Sequence, residues 1–126
     1  MKGIVITTKD EMRVQEFSEP VYRSIGDAVG GWIEVVHPKR LEYPYCMVVN
    51  EEGVLRKLPI NSFGSFLYGT DTHGWPIAGN AVLMKEGYNS DGELDILGLD
   101  EQDIKYLRDM VSTKMGREVK LGQEVE

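Results

Sequence analysis

Few side chains in this 126-residue chain have the chemistry for catalysis: one cysteine, two histidines and a scatter of carboxylates. A nucleophilic thiol would need Cys46 within reach of His37 or His73. Cys46 opens the apolar run CMVVN, however, and a thiol in such surroundings stays protonated and inert. His37, His73 and Asp71 are metal-ligand types, but the two histidines are far apart in sequence and show no ligand spacing. The run NSDGELD imitates the start of a calcium loop, yet the position of the closing bidentate glutamate falls on Gly98. Glu51-Glu52 and Asp100-Glu101 lie in a turn and at a helix start, where solvation and capping account for them. Neither a phosphate loop nor a dinucleotide fingerprint occurs. The reading is a non-enzymatic protein with no cofactor and no metal; a hydrolase built on His73 and Asp71 is the catalytic alternative.

Two loops fit binding better than catalysis. TDTHGWPIAGN sets His73, Trp75 and Asn80 among glycines, and RLEYPY sets Arg40 and Tyr43 beside a proline. Aromatics and amides presented by loops bury contact area at low entropy cost. The competing reading is that Trp75 and the tyrosines cover the edge of a small core.

The elements that must position these loops follow from periodicity and punctuation. Strands are expected at Gly3–Thr7 and Met12–Phe17. Pro20 then starts a helix whose apolar stripe is Val21, Ile25 and Val29, ended by Gly30 and Gly31. Strands follow at Trp32–Val36 and Cys46–Asn50, with Val54–Leu58 closing a hairpin across the turn Asn50–Gly53. Asn61 caps a short helix that Gly69 ends, and Ile77–Glu86 is a strand that ILGL rejoins after a turn at Asp91-Gly92. Asp100 caps the last helix, with Ile104, Leu107 and Val111 as its buried stripe and Gly116 as its stop. The sum is an α+β fold, a small mostly antiparallel sheet with two or three helices packed on one side. Residues 1–115 form the single domain and residues 116–126 a charged C-terminal tail, frayed or partner-dependent.

Composition narrows the partners. Twenty-one acidic against 14 basic side chains give a net charge of −7, and the basic clusters Lys39-Arg40 and Arg56-Lys57 are short. Binding to duplex nucleic acid is therefore not expected. A lone cysteine fits a reducing compartment, and the apolar start of MKGIVITTKD is too brief for a signal peptide. With no segment long enough to span a membrane, the expected location is the cytoplasm.

The ordered series GGWIEVV, VVNEEG, LPIN and IAGNAVLM resembles the DUF3846-like domains of unknown function, a small family of phages, prophages and plasmids. Gly31, Trp32, Asn50, Gly53, Pro59, Asn61, Gly79 and Ala81 carry the likeness, which spans roughly Gly3 to Thr113. The segment FGSFLYGTDTHGWP is longer than the connection usual there. The resemblance implies a bacterial host cell as the setting and an action against host immunity. Two mechanisms fit. One is sequestration of a nucleotide-type immune signal by a homo-oligomer, with Arg40 and Arg56 as candidate phosphate partners. The other is an acidic inhibitor docking on a host defence protein such as a nuclease. The ligand-binding candidates are Arg40, Tyr43, Asn50, Asn61, His73, Trp75 and Asn80.

Overall fold

The computed structural model describes residues 1–72, 74–116 and 121–123. In chain order the elements are β1 (Lys2–Ile6), β2 (Met12–Glu16), α1 (Val21–Val29), β3 (Ile33–Val36) and β4 (Tyr45–Asn50). Then come α2 (Ser62–Tyr68), β5 (Ala81–Tyr88), β6 (Leu94–Leu97), α3 (Glu101–Met115) and β7 (Leu121–Gln123). The sheet order is β3-β4-β5-β1-β2-β7, antiparallel except for the parallel pair β2–β7. Strand β5 is long enough to serve two neighbours on one edge: its first half pairs with β1 and its second half with β6. The α+β class and the mostly antiparallel sheet are as read from sequence.

The helices are not on one side. In the central strands both faces are apolar, so both need a cover. Ile4, Ile6, Met47, Val49 and Leu83 point into a cluster with Phe63 and Leu67 of α2 and Leu107 and Val111 of α3. Val5, Cys46, Val48, Val82 and Met84 point the other way, into a cluster with Val21, Ile25 and Val29 of α1. The result is three layers, α1 on one face and α2 with α3 on the other.

Three local readings also change. Val54–Leu58 is a wound turn, not a strand: Arg56 N–H donates to Glu52 C=O and Leu58 N–H to Gly53 C=O at 2.8 and 3.0 Å. The strand expected from Ile77 starts at Ala81, because Gly79 is in the left-handed region at φ 86° and breaks extended pairing there. Within the tail read as frayed, Leu121–Gln123 lies parallel to β2, occupying that strand's outer edge, and Leu121 packs against the larger core cluster. The rest of that tail, residues 117–120 and 124–126, lies outside the described residues.

Candidate functional site

Most of the polar residues singled out from sequence turn inward and bind the chain itself. Asn61 is fully buried; its side-chain oxygen accepts from Gly64 N–H at 2.8 Å, capping α2, while its Nδ2 donates to Ile6 C=O and Gly79 C=O. Asn50 donates to Val29 C=O and accepts from Glu52 N–H. Asn80 accepts from Thr8 N–H and donates to Ala28 C=O. Each amide thus spends its donor on a backbone carbonyl from a distant segment and its acceptor on a backbone N–H, local for Asn50 and Asn61 and distant for Asn80. Arg40 grips Asp71 through two bonds of 2.8 and 2.9 Å, donates to Phe66 C=O and lies 4.4 Å over the Phe66 ring. That pairing holds the Asp71 carboxyl below its ordinary range.

Arg40 is therefore the clamp of the loop that follows α2. Arg40→Ala is expected to speed proteolytic nicking and amide exchange across residues 69–76 while sparing the exchange of β1 and β5, as read by hydrogen–deuterium exchange. Tyr43 is exposed and lines neither groove described below. His73 lies outside the described residues. Cys46 is fully buried, and that burial, aided by Glu86, pushes its thiol up to about 12; the His37 ring pairs with Glu86. Among the described residues no group of three or more His, Cys, Asp or Glu is placed to hold a metal. Among them, too, no helix is long and apolar enough to cross a membrane.

Two grooves flank the β3–β4 edge of the sheet, one on each face. The first, about 740 Å³, lies on the α1 side and is walled by Tyr22, Arg23, Asp27, Trp32, Glu52 and Arg56. Its floor is built by the glycine pair. Gly30 ends α1 at φ 87°, and the N–H groups of Gly30 and Gly31 both donate to Gly26 C=O, reversing the chain into β3. A Cβ on Gly31 would stand 2.9 Å from Arg56 Nη1, so glycine there lets Arg56 reach Gly30 C=O at 3.0 Å. Arg56 thereby satisfies a carbonyl at the negative end of the helix and keeps its remaining donors free of any protein partner among the described residues. Trp32 is 77% exposed, and Tyr22 is steadied by its hydroxyl, which donates to Asp95 at 2.5 Å.

The second groove, about 500 Å³, lies on the α2 side between the wound turn after β4 and the segment ahead of β5. Trp75 and Leu55 stand on its walls over a floor that includes Val36, Val49 and Ile77, with Glu34 and Glu51 as its charged groups. Of the residues proposed from sequence, it brings together Trp75 and the backbone around Asn50, whose amide is engaged elsewhere.

Trp32, Tyr22, Arg23 and Leu55 were not among the candidates read from sequence. A signal existed for two of them: the Val21, Ile25, Val29 stripe leaves Tyr22 and Arg23 off the buried face of α1. Trp32 follows the glycine break and precedes the first paired residue of β3, so it escapes the sheet's burial.

Fold and grooves together define a small three-layer α+β domain with aromatic-rimmed surfaces on both faces of one sheet edge. The chain belongs to the family described as Domain of unknown function (DUF3846), whose model matches residues 1–112. No curated protein and no solved structure matches it.

Proposed function

We propose that this chain is a non-enzymatic binding protein that holds a nucleotide-type ligand in the α1-side groove. In the phage and plasmid setting implied by its family resemblance, it would withdraw an immune signal of the host cell. The observation that carries this reading is a solvent-exposed Trp32 in one groove with Tyr22 and two guanidinium groups, Arg23 and Arg56. An indole face stacks on any nucleobase, and guanidinium groups take phosphate oxygens in charge-assisted pairs. Asp27 and Glu52 supply acceptors for ribose hydroxyls. Phosphate contact falls to the arginines, because the Gly30 and Gly31 N–H groups are already spent on Gly26 C=O. The groove is open, and a second subunit laid across it would enclose the ligand, so a homo-oligomer is the expected form.

Native mass spectrometry with a pool of cyclic and ADP-ribose-type nucleotides tests this directly. The expected result is one nucleotide mass per groove, with Trp32→Ala and Arg23→Ala each weakening binding by about tenfold or more at unchanged melting temperature. A spectrum with no added mass for any nucleotide ends the reading.

A further inference from the structure

We infer that the α2-side groove is a docking site for a segment of another protein that is apolar and carries a basic side chain. The inference is independent of the nucleotide reading, which concerns the opposite face. Trp75 and Leu55 are each 77% exposed, and Val54 beside them is 46% exposed. Large apolar side chains grouped this way at the surface mark contact sites.

The walls are built to stay in place. The turn bearing Val54 and Leu55 is wound by its own backbone bonds, and Gly53 packs so closely on the opposite wall that a Cβ would stand 2.5 Å from Ala78 C=O. Across the groove, Thr70 Oγ1 donates to Trp75 C=O, and the Arg40–Asp71 pair anchors the same loop. A surface already held in its bound shape loses less entropy when occupied.

Charge selects the occupant. Among the described residues, Glu34 and Glu51 have no hydrogen bond or ion pair from their carboxylates, and no Lys, Arg or His lines the groove. Two unpaired carboxylates beside an apolar floor favour a cation and oppose a phosphate. A second copy seated symmetrically on this groove would set Glu34 and Glu51 against their own counterparts, so a like-charged contact is disfavoured on this face whatever the chain does through the other. Strand β3, which carries Glu34, pairs only with β4 among the described residues. Its outer edge therefore offers backbone groups to an extended segment.

Fluorescence anisotropy with three labelled short peptides is the test: one alternating leucine with lysine, one with glutamate in place of lysine, one with serine in place of leucine. Binding is expected for the leucine–lysine peptide alone and should weaken as salt is raised. Trp75→Ala should abolish it, and Glu34→Gln with Glu51→Gln should weaken it by about tenfold or more. All these positions are exposed, so far-UV circular dichroism and melting temperature should match the unaltered chain. Added nucleotide should leave peptide affinity unchanged. Equal binding of the three peptides, no binding by any, or indifference to the glutamate changes overturns the proposal. So does a sedimentation result in which the chain dimerises through Trp75 without peptide.

Discussion

Asn61→Ala is expected to cost on the order of 3–7 kcal/mol of folding stability, read as a lowered urea midpoint at unchanged slope. The side chain is fully buried and joins three segments, the start of α2, the end of β1 and the turn ahead of β5. Alanine removes the cap of α2 and leaves the Ile6 and Gly79 carbonyls without their buried donor. Each such orphaned group carries a desolvation penalty of about 1–3 kcal/mol, and the cap adds about 1. Against a total of roughly 5–15 kcal/mol, that is a large share of what holds the domain folded. Serine at the same position should recover the cap alone, about 1 kcal/mol, because it is too short to reach both carbonyls. A serine variant as stable as the unaltered chain would show that the two carbonyls find other partners.

The second large effect concerns acid. The Asp103 carboxylate accepts from Lys85 Nζ at 2.6 Å, the Tyr45 hydroxyl at 2.8 Å and Asp100 N–H at 2.9 Å, while the Asp100 carboxylate accepts from Asp103 N–H at 2.8 Å. This reciprocal cap welds the start of α3 to β4 and β5. Burial pushes the Asp103 pKa up, but Lys85, the Asp100 N–H and the Tyr45 hydroxyl outweigh it and hold the group below its ordinary value of 3.8. Burial, then the bond to Asp103, raises the Tyr45 phenol to about 12. A carboxyl depressed in the folded state contributes its stability in full above the unfolded pKa and loses it as pH falls through the folded one. Asp103→Asn is thus expected to lower stability at neutral pH by roughly 2–4 kcal/mol, since Lys85 loses its ionic partner and the cap its charge. The gap between variant and unaltered chain should start to narrow below about pH 4, where the unfolded chain protonates this carboxyl, and shrink further as pH falls through the lower folded pKa. Urea unfolding across that range measures it, and a gap of constant size would assign the effect to shape alone.

Sequence carried the local features well because their causes are local. Asn61 and Asp100 cap their helices, and Gly30, Gly69 and Gly116 end them in the left-handed region, as their residue types and spacing require. What required the third dimension was missed or altered. The runs GIVI, CMVV and AVLM are apolar at every position, which is the mark of strands covered on both faces, yet a run of that kind does not say where its covers come from. Leu121 adds to the sheet only because β2 has an open edge beside it, a fact settled far from residue 121 in the chain.

The binding candidates were the least legible, and Asn50, Asn61 and Asn80 show why. An amide that can serve a ligand can equally bridge two backbone groups of its own chain, and only the packed structure decides between them. Arg40 is spent on Asp71 for the same reason. Sequence alone splits the exposed aromatics, making Trp75 a binding candidate and Trp32 only the first residue of a strand, although both are equally open to solvent.

The short wound turn after β4 faces both grooves at once. Glu51, Val54 and Leu55 look into one, Glu52 and Arg56 into the other. Surface loops ordinarily drift in length as sequences diverge. Here one inserted or deleted residue would rotate the alternation and exchange the two sets of side chains, spoiling both surfaces in a single event. Relatives that keep either groove should therefore keep the length of this turn, and those that abandon it should show both grooves rebuilt together.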